Sequence, residues 1–101
     1  MKPATTPQYP TPEMRELFEA ILSLKSSDEA AKFFRDLLTP AELTEFANRW
    51  QMVKLLLEGN SYSAIAAKLK VSTTTVTRVA QWLHNGLGGY KLVAKRVFKK
   101  K

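Results

Sequence analysis

The spacing of small and aliphatic residues between Ser61 and Gly86 limits the possible folds of this chain more than any other feature. Ser61 and Ser72 can each cap a helix. The inward residues would be Ile65, Ala66 and Leu69 in the first helix, and Val76, Val79, Ala80 and Leu83 in the second. Two helices that cross steeply over a short turn need a small residue where their backbones approach, with aliphatic residues beside it. The spacing therefore predicts a helix-turn-helix over about residues 61–86.

The turn between these two helices contains one unfavourable residue. Lys70 occupies the position where glycine is commonest, because the backbone there usually takes the left-handed conformation. Either Lys70 adopts that conformation at an energetic cost, or the turn is wider than usual.

Three more helices are predicted ahead of this motif, each from a capping signal followed by an apolar stripe. The predicted caps are Thr11, Ser26 and Thr39, and Gly59 is expected to end the third helix. The third stripe consists of Leu43, Phe46, Ala47, Trp50, Val53, Leu56 and Leu57. Since no β-type alternation occurs, we expect an all-α fold. Residues 1–10 should form a flexible N-terminal arm, residues 11–98 one helical domain, and residues 99–101 a basic tail.

Charge is unevenly distributed along the chain. The 101 residues carry a formal charge of +7, yet residues 1–50 have a net charge of −2 and residues 51–101 of +9. No acidic residue follows Glu58. A long basic segment without acids is typical of a protein that binds a polyanion. We therefore expect double-stranded DNA as a partner, although the terminal lysines could also serve only for solubility.

The composition disfavours several other classes of function. Without cysteine, the chain forms no disulfide and no cysteine-ligated zinc site. The basic half has no cluster of metal ligands, and its one histidine, His84, is placed to end a helix. No apolar run approaches the roughly 20 residues that span a bilayer, and the N-terminus lacks the apolar core of a signal peptide. We expect a cytoplasmic protein with no membrane partner, no metal site, no catalytic residue and no enzymatic activity.

The second helix of the motif is polar on the face opposite its apolar residues. Threonine offers a hydroxyl and a methyl group there, arginine can contact guanine or phosphate, and glutamine can contact adenine. The candidate DNA-binding residues of the motif are Ser63, Lys68, Lys70, Ser72, Thr73, Thr74, Thr77, Arg78 and Gln81. Helix capping also explains the threonine run at residues 73–75, and the two explanations are compatible.

The chain resembles the Trp-repressor family, and within it the YerC/YecD-type branch, over about residues 12–98. The matching segments are Leu38-Thr39-Pro40-Ala41-Glu42, Arg49, Leu56-Leu57-Glu58-Gly59, Ser61, Thr75-Val76-Thr77-Arg78 and Asn85-Gly86-Leu87-Gly88-Gly89-Tyr90. The resemblance implies an all-α fold, N-terminal helices that intertwine with a second subunit, and regulation of transcription through the helix-turn-helix. The apolar area of the first three helices also favours a homodimer that buries Phe18, Phe33, Phe34, Phe46 and Trp50.

The resemblance also implies a possible effector slot. The family's tryptophan-binding member holds its ligand between two arginines with help from threonines, and Thr39, Arg49, Thr75 and Arg78 stand at similar positions. Val79 replaces a glycine that gives the indole room, and Trp82 replaces a serine. Because these two side chains would fill the slot, we expect no cofactor and no L-tryptophan corepressor. The helical phase directs Arg78 toward DNA instead, so its two assignments conflict.

Two other functions remain open. The motif could dock another protein, such as a polymerase, through residues 74–81. Alternatively, the lysine-rich end could bind RNA or DNA without sequence preference.

Overall fold

The computed structural model describes residues 8–98, which form six α-helices. They are α1 (Pro12–Leu22), α2 (Ser27–Leu37), α3 (Pro40–Leu57), α4 (Tyr62–Leu69), α5 (Thr73–Asn85) and α6 (Gly89–Val97). No strand occurs in this part of the chain, so the prediction of an all-α fold is confirmed. Most of the predicted arm, and all of the predicted tail at 99–101, lie outside the described residues, so the domain limits stay a prediction.

The described residues divide into two compact units, one ending at Pro40 and one beginning at Ala41. In the first unit, Thr11 caps α1 and Ser26 caps α2, each by accepting a hydrogen bond from the backbone N–H three residues later. The spacing of Ser26 and Glu29 is that of a capping box, in which the acid accepts from the N–H of the cap residue. Here the Glu29 carboxylate accepts from the N–H of Lys25 instead. Neither helix contains a buried residue, and Leu22 is 82% exposed.

The core of the second unit is formed by residues of α3, α4 and α5. Its buried members are Met52, Val53, Leu55, Ile65, Ala66, Val76, Val79 and Leu83. α3 gives way to α4 through Gly59, whose φ of +89° is the left-handed conformation predicted for it. Asn60 secures this turn, since both its backbone N–H and its side-chain amide donate to the carbonyl of Leu55.

The buried side of α3 differs from the predicted stripe. Val53 is buried as predicted, but Met52 and Leu55 are buried too. Phe46 and Leu57, which the stripe places inward, are about half exposed. The end of α3 carries apolar side chains on more than one side, so periodicity alone does not decide which side the rest of the unit covers.

α6 is a helix that the capping signals do not predict. It follows Gly88, which has a φ of +90° and no side chain with which to cap the helix. Aromatic residues connect it to α3, because the ring of Trp50 stacks on that of Phe98 with 5.1 Å between centroids. The Tyr90 ring lies 6.3 Å from the same indole. Trp50 is therefore partly covered by its own chain, which reduces the area it can offer to a second subunit.

Candidate nucleic-acid interface

α4 and α5 form the predicted helix-turn-helix. The hydroxyl of Ser61 accepts from the N–H of Ala64, and that of Ser72 accepts from the N–H of Thr75, so both predicted caps are confirmed. Ala66 is 7% exposed, as expected for a small residue where the two helices approach. All four residues predicted to face inward from α5 are buried: Val76, Val79, Ala80 and Leu83. The side that remains for contact with a partner is therefore the polar side of α5.

Lys70 adopts the left-handed conformation, with φ of 60° and ψ of 47°. The backbone N–H groups of Lys70 and Val71 both donate to the carbonyl of Ala66, which closes the end of α4. The turn is thus tight rather than widened. An L-residue with a Cβ atom occupies this region at a cost of about 1–2 kcal/mol.

The nine candidate DNA-binding residues all have exposed side chains. Thr74, Thr77 and Gln81 lie on the side of α5 opposite its buried residues. On the helical wheel Arg78 lies between Gln81 and Trp82, about 30° from the direction opposite the buried residues, whereas Thr77 lies about 70° from it. Lys68 is in the last turn of α4 and Lys70 is in the turn between the helices. The arrangement brings three cations and several hydroxyls onto one motif without an acidic residue among them.

The hydroxyls of Thr74, Thr75 and Thr77 in α5 differ in their hydrogen bonding. The Thr75 hydroxyl lies 3.0 Å from that of Ser72 and is hydrogen-bonded to it. The Thr77 hydroxyl donates to the backbone carbonyl of Thr73, at 2.9 Å. No hydrogen bond within the described residues engages the hydroxyl of Thr74. Thr74 therefore keeps a hydroxyl that can donate to an external partner, whereas Thr77 does not.

A cavity of about 410 Å³ lies between α3, α5 and α6. Five of the six candidate slot residues line it: Arg49, Thr75, Arg78, Val79 and Trp82. The sixth, Thr39, belongs to the first unit. Val79 is buried against the core, but Trp82 is 62% exposed at the wall. Both side chains therefore border the cavity, and the filling of the slot by them stays a prediction.

Arg49 is held from two sides at this cavity. Its Nη2 atom donates to Oε2 of Glu45 at 2.8 Å, one helical turn away. Its guanidinium carbon also lies 5.6 Å from the centroid of the Phe46 ring, within the range of a cation–π contact. A charged ligand at Arg49 would therefore have to compete with the carboxylate of Glu45.

The family model described as Trp repressor protein matches residues 12–98. This chain belongs to the Trp-repressor family. The uncharacterized protein YerC of Bacillus subtilis strain 168 is 39% identical over 85 residues, which cover 84% of this chain and 82% of that protein. The likeness confirms the predicted YerC-type branch.

Two crystal structures of Trp-repressor-like proteins have the same fold. A TrpR-like protein from Eubacterium eligens has a TM-score of 0.84 and 39% identity, covering 91% of this chain and 95% of its own. A candidate Trp repressor from Staphylococcus aureus has a TM-score of 0.82 and 32% identity, and the match covers 90% of this chain and 91% of that protein. The Trp-repressor family is one of helix-turn-helix DNA-binding regulators, not of enzymes.

The described residues of this Trp-repressor-family chain contain neither a candidate metal site nor a candidate membrane-spanning helix. No group of three or more metal-ligating side chains is close enough together to hold a metal ion. None of its helices combines the length and the apolarity needed to cross a membrane.

The sequence analysis did not predict every residue that lines the cavity of this Trp-repressor-family member. Glu45, Asn48 and Tyr90 line the space but carry no predicted role. The Glu45–Arg49 pair has the four-residue spacing of a helical ion pair, which is a signal that could have found it. Tyr90 could be found only together with α6, because that helix brings it to the cavity.

Proposed function

We propose that this protein is a cytoplasmic, sequence-specific DNA-binding regulator of transcription that inserts α5 into the major groove. One observation carries the proposal: α4 and α5 leave the nine candidate DNA-binding side chains exposed on one motif and bury Ile65, Ala66, Val76, Val79, Ala80 and Leu83. An α-helix fits the major groove, where each base pair presents a different pattern of donors and acceptors. We propose repression as its role because the chain is similar to the candidate Trp repressor of Staphylococcus aureus.

The exposed residues divide by chemistry into two groups. Lys68 and Lys70 are cations at the turn, and we assign them to phosphates, which fix the orientation of a protein on the duplex. Thr74, Thr77 and Gln81 lie on the outer side of α5, and we assign them to base edges. The positions of Thr74 and Thr77 support this division, because the base-reading residues of such a motif lie near the start of its second helix. Gln81 lies about two turns beyond Thr74, and its assignment rests on its amide group, which can contact adenine.

Selection of bound sequences from random duplex DNA by the full chain tests sequence-specific binding. We expect one enriched sequence, and a Gln81→Ala variant should lose preference at a single position within it. Gln51→Ala is the matched control, because Gln51 is also exposed but lies on α3. A folded protein that enriches no sequence would contradict the proposal.

A salt titration separates the proposal from the protein-docking alternative. Phosphate neutralisation gives a slope of about −0.9 in log affinity per log salt for each phosphate contacted, whereas docking of a protein gives a shallow slope. Deleting residues 99–101 addresses the other alternative, since it removes three lysines and leaves Phe98 on Trp50. Loss of all DNA binding in that truncated chain would favour sequence-independent binding by the tail.

We also propose that the protein acts as a homodimer joined through its first three helices. Large apolar side chains of these helices, such as Phe18, Leu22 and Phe46, are exposed to at least a third of their area. Exposed large apolar side chains on several helices are typical of a chain that buries them against a partner. Two copies would place two recognition helices about one turn of DNA apart, which requires an operator with two half-sites. Sedimentation of a stable monomer at micromolar concentration would contradict the dimer.

Finally, we propose that DNA binding does not require L-tryptophan. The support is that the branched side chain of Val79 lines the cavity and that Glu45 already pairs with Arg49. The measurement is DNA affinity with and without free tryptophan, for the natural chain and for Val79→Gly combined with Trp82→Ser. A tenfold or larger gain in the natural chain on adding tryptophan would refute this proposal.

A further inference from the structure

Thr74 and Thr77, two of the four threonines in the first turns of α5, differ in what they can offer to a base, and the cause is their position. A threonine in a helix can donate its hydroxyl proton to the carbonyl three or four residues earlier, if that carbonyl is also helical. For Thr74 the fourth residue back is Lys70, which lies in the left-handed turn outside α5. For Thr77 it is Thr73, the first residue of α5, and the hydrogen bond forms at 2.9 Å.

The bond to Thr73 determines which groups of Thr77 face a partner. A threonine hydroxyl has one proton, so Thr77 has none left to donate to guanine, to the O4 atom of thymine or to a phosphate. Its oxygen is turned back against the preceding turn of the helix. The methyl group on the same Cβ atom takes another staggered position, away from that carbonyl, and the side chain is exposed. Thr77 therefore presents mainly an apolar group.

In the major groove, the base-edge feature that matches an apolar group is the C5-methyl of thymine. We infer that Thr77 reads a thymine through contact between the two methyl groups, whereas Thr74 acts by donating a hydrogen bond. This inference rests on the proposed DNA binding and adds to it the kind of base that one residue selects. Two threonines on the same side of one helix would thus contribute different chemistry to recognition.

Paired substitutions distinguish the two modes. Thr77→Val keeps the methyl group and removes the hydroxyl, so we expect affinity for the selected duplex to stay within about twofold. Thr77→Ser keeps the hydroxyl and removes the methyl group, so we expect a loss of about fourfold, as for one methyl withdrawn from an apolar contact. Thr74 is the matched control with the opposite pattern: Thr74→Ser should be tolerated, and Thr74→Val should lose about three- to tenfold.

Substituting deoxyuridine for each thymine in turn then locates the contact on the DNA. Deoxyuridine lacks only the C5-methyl, so the hydrogen-bonding groups of the base stay the same. At one position we expect the natural chain and Thr77→Val to lose about fourfold, while Thr77→Ser shows no further loss. Thermal unfolding of each variant checks that all of them are folded.

The possible outcomes separate this inference from the proposed function. If random DNA yields no preferred sequence, the proposed function fails and this inference fails with it. If a sequence is selected but Thr77→Val loses affinity while Thr77→Ser keeps it, only the inference is overturned. It is overturned as well if both Thr77 variants bind like the natural chain, since Thr77 then contacts no base.

Discussion

Replacing Lys70 by glycine should stabilise the protein while weakening its binding to DNA. The left-handed backbone of Lys70 costs about 1–2 kcal/mol for a residue with a Cβ atom, and glycine avoids that cost. Glycine is also freer in the unfolded chain, which offsets about 0.4–1 kcal/mol of the gain. The free energy of unfolding should therefore rise by about 0.5–1 kcal/mol. For a chain of this length, that corresponds to an increase in Tm of about 2–8 °C.

The effect of Lys70→Gly on DNA comes from the lost charge rather than from the backbone. Removing one phosphate contact should reduce the slope of log affinity against log salt by about 0.9. Lys70→Ala is the matched control, because alanine removes the same charge but keeps the Cβ atom. It should therefore weaken DNA binding to the same extent and leave the protein without the gain in Tm.

Two measurements test this reasoning on all three proteins. Thermal unfolding at one fixed protein concentration gives Tm, which is necessary because dimerisation makes Tm depend on concentration. Fluorescence anisotropy at several salt concentrations gives the slope. Equal Tm values for the glycine and alanine variants would refute the argument from strain. An unchanged slope in both variants would refute the contact between Lys70 and phosphate.

Three further predictions concern the same motif. Lys68→Ala should weaken binding equally on selected and random duplexes and lower the salt slope by about 0.9; a loss confined to the selected sequence in a binding titration would contradict this. Ile65→Ala should lower the free energy of unfolding by about 2–5 kcal/mol in urea, because the side chain is fully buried; a change below 1 kcal/mol would show that the core is misassigned. Ser72→Ala should cost about 1 kcal/mol through loss of the cap on Thr75, with unchanged stability counting against that cap.

The helix-turn-helix could be predicted from the sequence because its determinants are local. Ser61 and Ser72 each accept a hydrogen bond from the backbone N–H three residues later. Both caps could be predicted because each serine directly precedes a helical pattern of apolar residues. Because the inward residues of α5 lie close together on the helical wheel, the buried face follows from helical geometry alone. The left-handed backbone of Lys70 was one of two alternatives that the sequence left open. The hydrogen bonds from the N–H groups of Lys70 and Val71 to the Ala66 carbonyl accompany the tight turn.

Contacts between distant parts of the chain could not be predicted in the same way. α3 has apolar residues on several sides, so burial of Met52 and Leu55 depends on where α4 and α5 pack. α6 begins after a glycine instead of a hydroxyl cap, and with α6 the positions of Tyr90 and Phe98 beside Trp50 were missed as well. The cavity could not be predicted for the same reason, because its walls come from three helices and its volume depends on how far apart these helices pack.

The two tryptophans of the chain provide an optical signal for the state of the cavity. Trp82 forms part of the wall and is largely exposed to water, whereas Trp50 is stacked on Phe98. Emission from an exposed indole shifts to shorter wavelength when water is displaced from it, so a molecule entering the cavity would change the fluorescence of Trp82. A Trp50→Phe chain would emit from Trp82 alone. Compounds without an indole could thus be screened for binding without DNA and without any attached dye.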